Sequence, residues 1–271
     1  MKRFCLAVAL LAAGPVMAED PVWPGIAAQL YGDRPLRDGA SVIAIDAPYR
    51  SANDARTQIA AQVVAPEGLQ IGQFALVLDN NPMPVSAVLA LAEPQARVFV
   101  DVTLRVNGPT PLHVVAETSD GQLWVAESFV KTSGLGACSA PPGTDPELAL
   151  ATLGQIEISA GGPLPGDATA RLSALTSGAG AQKRLDVALS HPSHSGMQMD
   201  QVTLLFTPMR YVEQVQIDLD GAPYATVTGS ISLSENPAVS LSVPRATRQV
   251  AVTMQDTDGT VSRAQKDLTE F

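Results

Sequence analysis

An alternation with period two constrains this chain most. Over Arg97–Val106, Val98, Val100, Val102, Leu104 and Val106 point one way while Phe99, Asp101, Thr103 and Arg105 point the other. A helix cannot place every second residue on one face, but a strand does so automatically. The same pattern recurs in short runs on both sides of an interruption at 133–143, Ser-Gly-Leu-Gly-Ala-Cys-Ser-Ala-Pro-Pro-Gly. Nothing in that stretch can build a core element. Its glycines permit unusual backbone angles, and its prolines cannot donate to a sheet ladder.

Before the interruption, strands are expected at Ser41–Asp46, Ala60–Val64, Phe74–Leu78, Val85–Leu91, Arg97–Val106, Leu112–Glu117 and Leu123–Val130. Ser119-Asp120-Gly121 reads as a hairpin turn between the last two. After it, they are expected at Gln155–Ser159, Ala170–Leu175, Arg184–Leu189, Val202–Phe206, Val212–Leu219, Ala225–Ser232, Val239–Val243, Val250–Met254 and Val261–Ala264, with turns at Asp220-Gly221 and Asp258-Gly259. Many short strands at close intervals predict an all-β chain of two immunoglobulin-like β-sandwich domains. A Gly/Pro-rich arm bearing a cysteine joins them. Helical spacing of Trp23, Ile26, Leu30 and Tyr31 predicts a short helix ending at Gly32, covering a sheet edge. A brief second helix is expected from Thr144, with Thr144 or Asp145 as its cap.

The N-terminus reads as an export signal. Lys2 and Arg3 precede an apolar run from Phe4 to Ala13, and Pro15-Val-Met-Ala18 resembles a cleavage site. The run is too short to span a bilayer. The expected organisation is therefore a signal peptide at 1–18, a sandwich with a short helix at 19–132, the arm and linker helix at 133–150, and a second sandwich at 151–271. Cleavage would take the net charge from −10 to −12, since Lys2 and Arg3 leave. An acidic, exported chain is a poor partner for nucleic acid or an anionic membrane surface.

Cleavage would also remove Cys5 and leave Cys138 alone. An unpaired cysteine in an oxidising compartment points to a reactive thiol or an intermolecular bond. One reading makes Cys138 a buried structural residue. Its small, bent neighbours argue instead for an exposed thiol on a flexible arm, with Gly134, Gly136, Ala137 and Ser139 supplying the flexibility. Lys131 to Cys138 could extend about 23 Å. A second candidate is the run His191-Pro-Ser-His194-Ser-Gly-Met197-Gln-Met199, whose imidazoles and thioethers could bind Cu(I). The bland alternative is a turn with packed methionines. His113 falls on the alternate, solvent-facing side of its strand. No nucleophile elbow, phosphate loop or zinc-protease helix is present, and no cofactor is implied.

Two stretches resemble a known pair of proteins. Val125–Cys138, with the preceding Val115-Ala-Glu-Thr-Ser-Asp-Gly-Gln-Leu-Trp124, resembles the end of the SoxY sulfur-carrier subunit. His191 to Asp200, Tyr211 to Leu219 with Asp220-Gly221, and Asn236-Pro237 resemble its partner SoxZ. Both in one exported chain resemble the SoxYZ-like carrier fusion associated with quinoprotein dehydrogenases. The resemblance implies a periplasmic carrier without turnover of its own. Its Cys138 would hold a sulfur intermediate and offer it to sulfur-oxidation enzymes, a quinoprotein (pyrroloquinoline-quinone) dehydrogenase or a c-type cytochrome. Here the chain continues beyond the arm, so the arm is tethered at both ends. The competing expectations are a docking module without covalent cargo and a copper-binding sandwich.

Overall fold

The computed structural model describes residues 21–160, 182–200 and 203–268. The expected signal segment at 1–18 and the expected strand at 170–175 lie outside these residues. The first half contains α1 (Trp23–Tyr31), β1 (Leu36–Asp38), β2 (Ile43–Asp46), β3 (Thr57–Val64), β4 (Ile71–Leu78), β5 (Val85–Gln95), β6 (Arg97–Leu104), β7 (Thr110–Thr118) and β8 (Leu123–Val130). The second contains α2 (Pro146–Ala151), β9 (Ile156–Ala160), β10 (Gln182–Leu189), β11 (Val212–Leu219), β12 (Ala222–Gly229), β13 (Ala238–Pro244), β14 (Gln249–Asp256) and β15 (Val261–Asp267).

These strands form two facing sheets. One runs β1-β8-β7-β4-β5-β12-β11-β14-β15 and the other β2-β3-β6-β13-β10-β9. Each half is a small sandwich, and the two are welded edge to edge. In one sheet β5 pairs antiparallel with β12, Leu89 opposite Val227. In the other β6 pairs with β13, Val100 opposite Leu241. Pairing consumes four sheet edges that would otherwise lie open. The inward alternates of both halves form one continuous core, including Val100, Val102, Leu185, Leu189, Ile217, Leu241 and Val252.

The turns follow local chemistry. Asp220 and Gly221 both take positive φ, 52° and 84°, as a two-residue hairpin turn requires. Asp145 caps α2 by accepting from the Glu147 and Leu148 N–H groups, and Pro146 occupies the first turn. β1 is absent from the sequence expectations because three residues carry no alternation. The expected strand at Val202–Phe206 is not formed over its described residues, where Phe206 makes only an isolated bridge to Met199.

Two expectations about faces need correction. Helix α1 lies on a sheet face, where Trp23 stacks on His113 of β7 with centroids 3.8 Å apart, and Arg34 pairs with Glu117 at 2.6 Å. His113 is accordingly buried, only 4% exposed, with Nδ1 2.9 Å from Asp79 Oδ1. The outer face of β6 is also covered. Asp101, 3% exposed, takes a hydrogen bond from Gln58 and lies 3.4 Å from Arg184, while Arg184 also donates to Ser240 at 2.9 Å. This polar network stitches β3, β6, β13 and β10 together across the weld.

Candidate functional site

At one end of the welded sandwich, loops from both halves converge. Residues 105–109 follow β6, residues 79–84 join β4 to β5, residues 230–237 join β12 to β13, and residues 190–211 join β10 to β11. The arm from Lys131 to Asp145 crosses this end, passing from β8 to α2.

The arm is held along its length. Ser133 donates its backbone N–H to Asp54 Oδ2 at 2.9 Å. Gly136 N–H donates to the Asn107 carbonyl at 2.7 Å, and Gly136 takes φ +95°, which few other residues adopt. Its carbonyl accepts from the N–H and the hydroxyl of Ser139, both at 2.9 Å. Cys138 N–H donates to Asn107 Oδ1 at 3.1 Å. From the second half, Ser195 donates its hydroxyl to the Cys138 carbonyl and Gln198 donates to the Ala140 carbonyl at 3.2 Å. Glu235 closes the far side, accepting from Gly143 N–H at 2.7 Å and Thr144 N–H at 2.9 Å.

The expected exposed thiol is therefore corrected: Cys138 is 0% exposed. Gly134, Gly136, Ala137 and Ser139 do lie around it, but as a folded turn. Lack of apolar neighbours in sequence did not keep the thiol in water, because polar side chains distant in sequence fold the arm down and cover it. Unlike the free end of a chain, a segment tied at both ends needs little further ordering to be held.

Next to the thiol lies a buried cation. Arg105 is 2% exposed and donates to the Leu233 carbonyl at 2.7 Å and the Ile231 carbonyl at 3.2 Å. Asn81 fixes its backbone by donating to the Arg105 carbonyl at 2.8 Å, and accepts the Asn107 N–H at 2.9 Å. Burial raises the Cys138 pKa, and the Arg105 charge opposes it without cancelling it. Burial lowers the Arg105 pKa, while Cys138 and Glu235 pull it back. The closed thiol is thus held protonated beside a charge that would favour an anion on the same sulfur. His194 is near enough to feel both Arg105 and Glu235, and burial lowers its pKa.

Of the copper candidates, His191 is already committed to other partners. His191 is 1% exposed, with Nδ1 accepting the Ser193 N–H at 2.9 Å and Nε2 lying 3.3 Å from Asp256 Oδ2. Both ring nitrogens are committed, so no lone pair is free for Cu(I) as the residue stands. His194 Nδ1 faces Gln198 Oε1 at 3.2 Å, and Met197 and Met199 are each 38% exposed. Among the described residues, no group of three or more His, Cys, Asp or Glu is placed to hold a metal. The run 191–199 matters instead because Ser195 and Gln198 grip the arm. Arg105, Asn107, Asn81 and Glu235 were missed in the sequence. Arg105 breaks the pattern as a charge at the end of an apolar strand, and that was the available signal.

Comparison with known proteins fits this division of the chain. The family model described as "Sulfur oxidation protein SoxY" matches residues 27–138, ending on Cys138 itself. The model described as "Sulphur oxidation protein SoxZ" matches residues 174–267. No curated protein matches. Among solved structures, the sulfur carrier protein SoxY from Chlorobium limicola f thiosulfatophilum is 21% identical with TM-score 0.36, covering 41% of this chain and 96% of that one. The superoxide reductase (neelaredoxin) from Ignicoccus hospitalis is 19% identical with TM-score 0.28, covering 34% and 80% respectively. A SoxY region that ends on the clamped cysteine and a SoxZ region that supplies half of the clamp make this chain a SoxYZ-like fusion.

Proposed function

We propose that the protein is a periplasmic sulfur carrier that holds a covalent sulfur intermediate on Cys138 and presents it to partner redox proteins. The observation that carries this reading is an unpaired cysteine clamped jointly by the SoxY and SoxZ regions beside Arg105. The expected signal segment supports export. Joining Cys138 Sγ–H to an incoming thiol-level group, R–S–H, breaks both S–H bonds, forms Cys138–S–S–R and releases two protons and two electrons. The electrons pass to a c-type cytochrome, and a quinoprotein dehydrogenase is the dehydrogenase partner of the same system. The carrier turns nothing over by itself.

Loading requires the arm to open, because a protonated and covered thiol neither ionises nor meets a partner. The clamp consists of hydrogen bonds, each contributing only about 1 kcal/mol net, so opening is local and leaves the sandwich intact. Once closed, an anionic sulfur group would sit beside Arg105 and away from solvent thiols.

Intact mass of protein purified from producing cells without reductant tests the reading. Added mass on Cys138, removed by reductant and absent from Cys138→Ser, is expected. A bare thiol in cells with active partners, or added mass that persists in Cys138→Ser, contradicts it. A docking role without cargo draws on a different observation. Leu204, Leu205, Phe206 and Met209 are 50–69% exposed on the loop segment whose Ser195 and Gln198 hold the arm. On that reading Cys138→Ser leaves partner activity intact.

A further inference from the structure

On the SoxY region, a cleft of about 560 Å³ opens between β2, β8 and the start of α1. That volume is in the range of small-molecule sites. Its apolar lining includes Ile43, Ile45, Val125 and Trp23; its polar side chains include Asp38, Glu127 and His113.

The cleft exists because the chain leaves the sheet edge and returns. β1 pairs with β8 only as far as Asp38 opposite Val125, and contact resumes at Arg50 opposite Lys131. The Val125 and Lys131 carbonyls accept from Gly39 and Ser51, so alternate residues of β8 aim their backbone groups at this edge. Glu127 lies between them, and among the described residues its edge N–H and C=O have no backbone partner.

Inside, Asp79 is 3% exposed and orients His113 by accepting from Nδ1. With Nδ1–H given to Asp79, the ring nitrogen that remains for a ligand is Nε2. Nε2 lies 3.7 Å from Glu127 Oε2, beyond hydrogen-bond reach, while Trp23 covers the ring face. A buried Asp–His pair is costly to maintain, and the thiol site makes no use of this one. Of the polar side chains lining the cleft, Asp38 and Glu127 are carboxylates, which only accept when ionised, while His113 and Ser128 can either accept or donate. The complementary ligand donates hydrogen bonds, is positively charged and has an apolar body.

We propose that this cleft is a binding site for a small organic ammonium ion, with its ammonium group between His113 Nε2 and the carboxylates of Glu127 and Asp38, and its body against Trp23, Ile43 and Ile45. A divalent metal fits less well, because its ligands must converge more closely than the hydrogen-bond acceptors of an ammonium, and among the described residues no three His, Cys, Asp or Glu do so.

The test is titration of the full chain, in the Cys138→Ser background so that it is independent of the carrier reading. 2-Phenylethylammonium is the probe, phenylacetate the anion of similar body, and Zn²⁺ alone the metal control. Readouts are tryptophan fluorescence and the His113 imidazole resonances. Saturable binding of the ammonium probe with His113 shifted, no binding of phenylacetate, and about tenfold weakening in Glu127→Gln and in Asp38→Asn are expected, as for loss of one charge-assisted hydrogen bond. Both substitutions are at exposed residues. Equal binding of phenylacetate, unaltered affinity in both variants, no saturation below 10 mM (on the order of the weakest useful affinity), or a response to Zn²⁺ alone would overturn the proposal.

Discussion

Leu241 and Cys138 are both 0% exposed, yet different forces bury them. Leu241 lies on β13 at the weld, opposite Val100, with apolar side chains from both sheets around it. Its burial is inseparable from the fold. Cys138 lies in a segment of Gly, Ala, Ser and Pro, and is covered because Asn107, Ser195, Gln198 and Glu235 hold the arm's backbone down. Equal exposure thus conceals unequal cost. Opening the core requires unfolding, whereas opening the arm exchanges a few hydrogen bonds for water. A carrier needs that asymmetry, with a scaffold that stays closed and a lid that does not.

The comparison is broken most directly at the weld. Leu241→Ala removes a fully buried side chain shared by both halves, and should cost about 3–5 kcal/mol in denaturant unfolding. Unfolding should remain a single transition, because the core is continuous. Two separate transitions would show that the halves are independent.

Acid gives the next largest effect. Burial depresses the His191 pKa from 6.5 to about 4, partly opposed by Asp256. A histidine depressed in the folded state stabilises the fold above pH 6.5, and that contribution is lost as pH falls from 6.5 towards 4. The loss should be on the order of 3 kcal/mol and absent in a folded His191→Gln variant, measured as stability against pH.

On the arm, Glu235→Gln weakens the bonds to Gly143 and Thr144, and Ser195→Ala removes the bond to the Cys138 carbonyl. Each should raise the native labelling rate of Cys138 about tenfold, with a melting temperature shifted far less than by Leu241→Ala. Smallest is Asp145→Ala, which uncaps α2 and should cost about 1 kcal/mol locally, seen as faster hydrogen exchange in 147–151.

Much of the sandwich was legible in the sequence, because alternation and turn chemistry are local properties. Val98 to Val106, Leu185 to Leu189, Asp220-Gly221 and Asp145 all behave as their neighbours dictate. Properties set by distant residues were misread. His113 has the pattern of an exposed residue and is buried only because α1 lies over it. The arm looks mobile until residues 31 and 57 positions from Cys138 bind its backbone. Leu204 to Phe206 read as a strand from their composition, but they are an exposed apolar loop. The weld was invisible for the same reason, since edge pairing between halves leaves no mark within either one.

The central claim is that Cys138 is shut in by a clamp weaker than the fold, and native-state labelling tests it most directly. Reaction of the intact, reduced protein with a small thiol reagent should run roughly a hundredfold slower than with an unfolded peptide, a local opening of about 2.7 kcal/mol. It should accelerate at denaturant concentrations well below the unfolding midpoint. Labelling at the free-thiol rate in native buffer, or labelling that appears only with global unfolding, would contradict the account.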